Sequence, residues 1–357
     1  MIKGNKGDWS EIYTLFKVLG DTKLFSGDTD LNKVEELFYP IIKVLRIESG
    51  GNYEYEINGD LVIISSNKEI LRIPVTKFKS QASVLLQKIK DSKGAFSVPE
   101  IESFMRTINC KTLKAKSTSK TDIRIVIHDL RINQQIELGF SIKSHLGGDS
   151  TLLNAGKTTN FIYQILNFNP SKFIIDKING IDTKSKIKDR LEAINKSGGK
   201  LKYLTLEQDI FKNNLILIDS LLPNILGEIV LSFYTTKNTT IKNLSDEISK
   251  KNPLKYDTQF SHSFYEYKIK RFLTDVALGM MPSKVWSGLY DTTGGYLLVK
   301  ESGEVLCYHI YNRNQFEDYL FNNTKLETAS STRHNFGKIY NKEGTNYFNL
   351  NLQIRFI

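Results

Sequence analysis

Cysteine, tryptophan and methionine are scarce in this sequence, with two, two and four of them in 357 residues. Cys110 and Cys307 are far apart, and neither belongs to a Cys-x-x-Cys or Cys/His cluster. This spacing argues against a zinc site and against a disulfide framework. No run approaches the roughly 18 apolar residues of a membrane span, and the polar N-terminus does not resemble a signal peptide. We therefore expect a cytoplasmic protein without a membrane partner.

Negative charge is also in deficit. Lysine and arginine number 49 against 39 aspartates and glutamates, which gives a formal net charge of +10. Such an excess favours a polyanionic partner, and nucleic acid is favoured over a membrane surface because no basic amphipathic helix stands out. The alternative is a basic solvated surface without such a partner.

A nucleotide-binding P-loop is missing as well. Gly156-Lys157-Thr158 matches the end of that motif, but position 151 is threonine where the motif requires glycine. The surrounding pattern predicts a helix over residues 150–166, and we expect Lys157 to face DNA phosphates instead.

The most informative stretch runs from residue 121 to 146, where apolar and polar residues alternate in two segments joined by a polar turn. This period of two predicts two half-buried strands that form a hairpin. Folding back about the turn places Asp122 opposite Lys143. One face then carries aliphatic side chains, and the other presents Asp122, Ser141 and Lys143 at one end of the hairpin.

A carboxylate beside a lysine is a minimal apparatus for metal-assisted phosphodiester hydrolysis. Asp122 can hold Mg²⁺, and Lys143 can stabilise phosphate charge or help activate water. The arrangement resembles the nuclease core P-D…(D/E)-x-K, with Thr121 in place of proline and Ser141-Ile142-Lys143 in place of acid-x-lysine. The ordinary alternative is an exposed ion pair on a solvated hairpin.

That nuclease core requires a further carboxylate, for which Glu11 and Glu137 are the candidates. Residues 8–20 predict an amphipathic helix in which Asp8 is the N-cap and Glu11 completes a capping box, so Glu11 also has a structural role. We favour Glu11, because Glu137 lies about 20 Å from Lys143 along an extended strand. Gln164, on the predicted helix over residues 150–166, is neutral.

Other patterns predict a mixed central sheet flanked by helices, in an α+β or α/β fold. Strands are predicted within residues 52–75 and 171–180 and in several pieces near the C-terminus. Helices are predicted over residues 31–47, 80–91, 98–108, 184–195, 214–231 and 264–279. Pro40 is expected to interrupt the first of these, and Pro223 to kink or split the helix over residues 214–231 near its middle. The polar, turn-rich residues 235–257 suggest a boundary between parts of the chain.

Two C-terminal stretches, residues 312–325 and 330–338, gather arginine, lysine and asparagine among aromatic residues. These side chains suit hydrogen bonding to base edges, and arginine pairs with guanine in particular. Arg313 and Arg333 are the candidates to read guanines, and the alternative is that these stretches are only asparagine-rich turns. The candidate DNA-contacting residues are Arg313, Asn314, Arg333, His334, Lys325 and the earlier Lys157. The basic segment 111–120 is either a loop near phosphates or a linker.

Over nearly its full length the chain resembles the HpaII-type restriction endonucleases. The matching stretches are K-G-D-W-S-E-I-Y (6–13), G-F-S-I-K-S-H-L-G (139–147), S-T-L-L-N-A-G-K-T-T-N-F-I-Y (150–163), residues 303–325, and R-H-N-F-G-K-I-Y (333–340). The resemblance implies a type II enzyme that cuts double-stranded DNA at CCGG with Mg²⁺, and a partner methyltransferase that protects the host. It also implies a restriction-endonuclease-like catalytic region over residues 1–245 and a C-terminal α+β region, residues 246–357, that contributes DNA recognition.

The resemblance assigns roles to the hairpin residues. Asp122, Glu11 and the carbonyl of Ile142 are expected to ligate Mg²⁺, while Lys143 stabilises the pentacoordinate transition state or orients the attacking water. Ser141 stands where most related sites have an acid. Two alternatives stay open: a non-catalytic DNA-binding protein with a degraded site, and a structural protein with merely compositional basic charge. A palindromic target favours a symmetric dimer or two successive nicks.

Overall fold

The chain divides into two compact units, each assembled from two separate segments. The first unit comprises residues 1–150 and 290–319, and the second comprises residues 151–289 and 320–357. The computed structural model describes residues 1–114 and 121–357, apart from the side chain of Glu69. Both units combine helices with sheets, so the fold is α+β. The division expected at residues 245 and 246 falls inside a helix of the second unit, Ile241–Lys251, and the recognition role of the C-terminal region stays a prediction.

The elements follow one another along the chain as two series. The helices are α1 (Lys6–Asp21), α2 (Val75–Asp91), α3 (Pro99–Thr107), α4 (Lys172–Asn179), α5 (Lys186–Lys196), α6 (Asp209–Ile218), α7 (Leu222–Thr235), α8 (Ile241–Lys251), α9 (Phe264–Leu278), α10 (Arg313–Asn322) and α11 (Ser331–His334). The strands are β1 (Lys23–Gly27), β2 (Lys33–Glu48), β3 (Gly51–Asn58), β4 (Leu61–Ser65), β5 (Glu69–Pro74), β6 (Ile123–Asp129), β7 (Gln134–Ser144), β8 (Thr151–Leu153), β9 (Asn160–Leu166), β10 (Lys200–Leu206), β11 (Gly295–Val299), β12 (Val305–His309), β13 (Thr324–Leu326), β14 (Ile339–Lys342), β15 (Thr345–Asn351) and β16 (Ile354–Phe356).

In the described part of the chain, nine strands form the sheet of the first unit, in the order β1-β12-β11-β7-β6-β2-β3-β4-β5. The predicted hairpin is confirmed as β6 and β7, which pair antiparallel with Ile123 opposite Phe140. The predicted register was wrong by two residues, because Asp122 donates its backbone N–H to the carbonyl of Phe140 and so lies beside Ser141 rather than opposite Lys143. A shift of two leaves every side chain on its predicted face.

Helix α1 buries an apolar face against the first unit's core. Trp9, Ile12 and Phe16 are fully buried, and Phe16 meets Phe78 of α2 edge-on at 6.1 Å between ring centroids. Each such side chain contributes about 1.5–3 kcal/mol through burial. The helix begins earlier than predicted, since Asn5 and Asp8 form the capping box through reciprocal side-chain to backbone hydrogen bonds.

That earlier start corrects the expectation for Glu11. Asp8 is the third helical residue and not the N-cap, so Glu11 lies in the second turn and has no part in the capping box. The physical reason is local. The side-chain oxygen of Asn5 accepts a hydrogen bond from the N–H of Asp8, and the carboxylate of Asp8 accepts one from the N–H of Asn5. The structural role that the sequence suggested for Glu11 is therefore absent.

Three other predicted elements were wrong. Residues 31–47 form strand β2 instead of a helix, because pairing with β3 and β6 satisfies the backbone along both edges. Residues 171–180 form helix α4 instead of a strand, with Ser171 as a side-chain N-cap. Residues 150–166 form β8, a 3₁₀ turn and β9 instead of a helix, and Phe161, Tyr163 and Ile165 are buried at a spacing of two. The split expected at Pro223 is confirmed: residues 214–231 are divided between α6 and α7, and Pro223 lies in the first turn of α7.

The second unit contains two antiparallel sheets, ordered β10-β9-β15-β14 and β13-β16-β8. Within the described ranges, no single helix is long and apolar enough to cross a membrane. Helices α6 and α7 would meet that test only as a pair, and they are bent by 111° at the break between them.

Candidate active site

The carboxylate of Asp122, just before β6, is held by two donors from β7. The hydroxyl of Ser141 donates to Oδ2 of Asp122 at 3.0 Å, and the backbone N–H of Ile142 donates to the same oxygen at 2.7 Å. Within an extended strand, the N–H and C=O of one residue point to the same edge. The carbonyl of Ile142 therefore lies on the side of Asp122, as a metal ligand would require. Ser141 acts here as a hydrogen-bond donor to the carboxylate of Asp122.

Lys143 follows on the same strand and is half-buried. Its Nζ lies over the ring of Tyr296 on β11, 4.9 Å from the centroid. Burial lowers the pKa of Lys143 below its ordinary value, although attraction to Asp122 and Glu11 acts in the opposite direction. A partly dehydrated ammonium beside carboxylates is suited to contact an anionic phosphate.

Glu11 of α1 completes the group. Burial, followed by repulsion from the charge of Asp122, raises the pKa of Glu11 to about 8. Lys114 and Arg46 act against this rise. Two carboxylates that repel one another in a half-buried site favour either a bound proton or a bound cation.

Helix α1 is fastened to the end of β7 beside this group. The hydroxyl oxygens of Ser10 and Ser144 lie 2.8 Å apart, and both residues are buried. The Ser10 hydroxyl also donates to the carbonyl of Lys6 at 2.7 Å, and Ser144 Oγ accepts from the N–H of Leu146 at 3.1 Å. These bonds connect the residue before Glu11 to the residue after Lys143.

The donor set is sparse for a metal ion. Among residues 1–114 and 121–357, no group of three or more His, Cys, Asp or Glu side chains could hold a metal. Mg²⁺, however, is commonly bound through one or two carboxylates with water and substrate phosphate filling the remaining positions. Asp122, Glu11 and the carbonyl of Ile142 fit that kind of site.

The other candidates for the further carboxylate lie elsewhere. Glu137 is exposed and paired with Arg124 at 2.6 Å. Gln164 lies on β9 of the second unit. Of the three residues considered from sequence, Glu11 is the one whose charge interacts with that of Asp122.

Two residues of the site were missed from the sequence. Lys114 pairs with Asp8 at 2.9 Å, and this hydrogen bond raises the pKa of Lys114, with further contributions from the charges of Glu11 and Asp122. The basic composition of residues 111–120 could have indicated a lysine near the site. Residues 115–120 of that segment lie outside the described residues. Tyr296 had no signal, because it is remote in sequence from the hairpin.

The predicted DNA-contacting residues are divided between the units. In the first, Arg313 donates to Glu317 at 2.7 Å and Asn314 is exposed at the start of α10. The second unit holds the rest: Arg333 and His334 end α11, Lys157 is exposed in the 3₁₀ turn, and Lys325 is half-buried on β13 opposite Arg355. Their contact with DNA stays a prediction.

Comparison with known proteins identifies the family. The model of the HpaII restriction endonuclease family matches residues 5–356. The type II restriction enzyme HpaII of Haemophilus parainfluenzae is 47% identical over 358 aligned positions, which cover 99% of this chain and 98% of that enzyme. No solved structure matches the chain. Type II restriction enzymes act on DNA and generally use divalent metal ions. The chain belongs to the HpaII restriction endonuclease family, whose members are site-specific DNA-cleaving enzymes.

Proposed function

We propose that this enzyme hydrolyses double-stranded DNA at CCGG with Mg²⁺, and that the hydrolytic centre is formed by Asp122, Glu11, Ile142 and Lys143. The observation that carries the proposal is that Asp122 and Glu11, from separate elements, interact through their charges with each other and with the half-buried Lys143. The raised pKa of Glu11 and the two donors to Asp122 support it.

Asp122, Glu11 and the carbonyl of Ile142 would hold the Mg²⁺, which supplies Lewis-acid polarisation and neutralises phosphate charge when bound. Ser141 and the N–H of Ile142 keep the Asp122 carboxylate oriented. Lys143 stabilises the charge that develops on the scissile phosphate as water attacks phosphorus and the bond to the leaving sugar oxygen breaks.

Specificity is proposed to lie with the arginine-rich and asparagine-rich segments. Arg333 is exposed at the end of α11 and suits bidentate contact with guanine. Arg313 already shares a bond with Glu317, so reading a base would require it to exchange that partner. A methyltransferase that modifies the same sequence is the proposed functional partner, and a palindromic target favours a symmetric dimer.

The test is cleavage of unmethylated plasmid DNA with Mg²⁺ by the wild type and by Asp122→Ala and Lys143→Ala, followed by mapping of the cut ends. Lys68→Ala, an exposed lysine between β4 and β5, serves as the charge-matched control. We expect cuts confined to CCGG, lost in both site variants and retained in the control. Cuts at another sequence would overturn the specificity, and DNA that is bound but uncut would favour a degraded nuclease.

A further inference from the structure

A cavity of about 670 Å³ opens on the β10-β9-β15-β14 sheet of the second unit. This volume is ample for a small flat ligand. Its lining includes Leu204, Glu207, Phe336, Lys338, Tyr340 and Asn349. The segment 333–340, which carries part of the family resemblance, supplies one wall.

Glu207 is the acidic side chain of this cavity, and buried amides hold it in place. Its Oε2 accepts from Nδ2 of Asn160 at 2.7 Å and from Nδ2 of Asn349 at 3.4 Å. Asn160 is in turn fixed by Asn351, whose Nδ2 donates to Oδ1 of Asn160 at 2.7 Å. Asn160 and Asn351 are almost completely buried, so the position of the carboxylate is set before any ligand arrives.

The second oxygen of Glu207 is available to a ligand. Within the described part of the chain, Oε1 of Glu207 makes no hydrogen bond and the carboxylate forms no ion pair, although Lys338 and Lys342 line the same cavity. A fixed acceptor without a donor is suited to an N–H group supplied from outside.

Two aromatic rings form part of the cavity wall. Tyr340 and Tyr347 stack with ring centroids 5.6 Å apart, and the Tyr340 hydroxyl donates to Oδ1 of Asn349 at 2.9 Å. At the rim, Leu204 is 53% exposed and Tyr340 is 37% exposed. Exposed apolar side chains around a fixed acceptor fit a planar heteroaromatic ring that carries an amino group. Lys338 and Lys342 place positive charge beside it, as a phosphate backbone would require.

We propose that this cavity binds one base of the DNA target, with Glu207 accepting a hydrogen bond from the exocyclic amino group of that base. The proposal rests on the function proposed above and assigns a specificity residue that the sequence did not suggest. A base that enters a cavity must leave the helical stack, and its unpairing is offset by contacts inside the pocket.

The test is a binding cycle between Glu207→Gln and target duplexes that lack one exocyclic amino group at a time. Inosine replaces each guanine, and the nucleoside of pyrimidin-2-one replaces each cytosine. Affinity is measured by fluorescence anisotropy with Ca²⁺ in place of Mg²⁺. We expect one position at which removing the amino group lowers the affinity of the wild type about 5- to 150-fold. At that position the same removal should not lower the affinity of Glu207→Gln. The cycle isolates this pair from other effects of either change.

Two further variants complete the design. Glu192→Gln removes an exposed carboxylate of α5 that is paired with Lys196. For each analogue duplex, this variant should lose as much affinity as the wild type does. Leu204→Ala, which alters only the exposed rim, should weaken target binding several-fold without changing the melting temperature or binding to a scrambled duplex. This variant tests the cavity even if Glu207→Gln fails to fold.

The cavity proposal would be overturned if Glu207→Gln lost as much affinity as the wild type at every substituted position. It would also be overturned if Leu204→Ala bound the target with unchanged affinity. A wild type that binds target and scrambled duplexes equally would instead overturn the proposed sequence specificity, and this inference with it. The two failures are therefore distinguishable.

Discussion

Ser10 and Ser144 join helix α1 to strand β7 through hydroxyl oxygens 2.8 Å apart. Their chain neighbours are Glu11 and Lys143, so this bond sets how a carboxylate on a helix meets a lysine on a strand. Neither hydroxyl lies among the proposed metal ligands. Both act by holding the elements that carry the functional groups.

We predict that Ser144→Ala slows DNA cleavage about 10- to 100-fold, the usual cost of removing a supporting hydrogen bond at a metal site. The unfolding free energy should fall by about 1–3 kcal/mol, because the buried N–H of Leu146 loses its acceptor. Cleavage rate and urea denaturation measure the two effects. Ser83→Ala on α2, which loses an exposed hydroxyl bonded to the carbonyl of Lys79, is the matched control. Equal fractional effects of both substitutions on cleavage would contradict a positioning role.

The raised pKa of Glu11 predicts a pH-dependent stability. Between the ordinary value of 4.5 and about 8, folded Glu11 retains a proton that the unfolded chain has lost. The contribution of Glu11 to the stability of the metal-free protein must therefore fall as pH rises through this window. In Glu11→Gln, the melting temperature should decline less over the same range. Glu56→Gln, an exposed position on β3, should follow the wild type, and parallel curves for all three proteins would refute the assignment.

Metal binding should depend on the same proton. Because Mg²⁺ must displace the proton of Glu11, its affinity should increase with pH and level off near 8. Isothermal titration calorimetry in buffers of different ionisation enthalpy would detect the released proton. Glu11→Gln should bind Mg²⁺ more weakly and release fewer protons, and proton release equal to that of the wild type would exclude Glu11 as the source.

We predict that Ser141, which stands where most related sites have an acid, contributes to DNA cleavage but is not essential for it. Ser141→Ala leaves Asp122 with the Ile142 N–H at 2.7 Å, so we expect about 10- to 100-fold slower cleavage. Asp122→Ala should abolish cleavage. Single-turnover assays at saturating enzyme compare the three proteins. Complete inactivity of Ser141→Ala, with its fold intact, would mean that the hydroxyl itself contacts the reacting groups.

Gly139 on β7 has no room for a side chain. A Cβ there would lie 2.8 Å from both Cγ2 and Oγ1 of Thr121, the residue before Asp122. Gly139→Ala should lower the unfolding free energy by about 1–3 kcal/mol and slow cleavage by displacing Asp122. Gly148→Ala, where nothing lies within 4 Å of the added atom, should change neither the urea midpoint nor the rate.

Local patterns were sufficient to predict the hairpin and α1, because alternation and amphipathic spacing are properties of contiguous residues. They also put Asp122, Ser141 and Lys143 on one face, since a register error of two preserves the face. Glu11 was favoured among the carboxylates, and the capping role that competed with this interpretation was wrong. Asn5 can cap a helix as well as Asp8 can, and which of the two does so depends on the residue at which the helix begins.

The remaining errors have long-range causes. Strand β2 was predicted as a helix because its partners β3 and β6 determine its conformation more strongly than its own sequence does. Tyr296 reaches Lys143 only through the parallel pairing of β11 with β7. The Glu207 cavity depends on asparagines from β9 and β15 meeting across a sheet. The spacing of residues along the chain does not predict these contacts between strands that are distant in sequence.

The pairing of β7 with β11 also affects how the enzyme is made. Strand β11 begins roughly 150 residues after β7 ends, and residues 151–289 belong to the second unit. At about 5–20 residues per second, a ribosome needs on the order of 10 s to add that interval. During this time β7 lacks the neighbour that supplies Tyr296, so we expect Lys143 of the nascent chain to lack the ring that its ammonium packs against. A polypeptide interrupted in synthesis would then cut the chromosome of the cell that makes it less readily than the finished enzyme does.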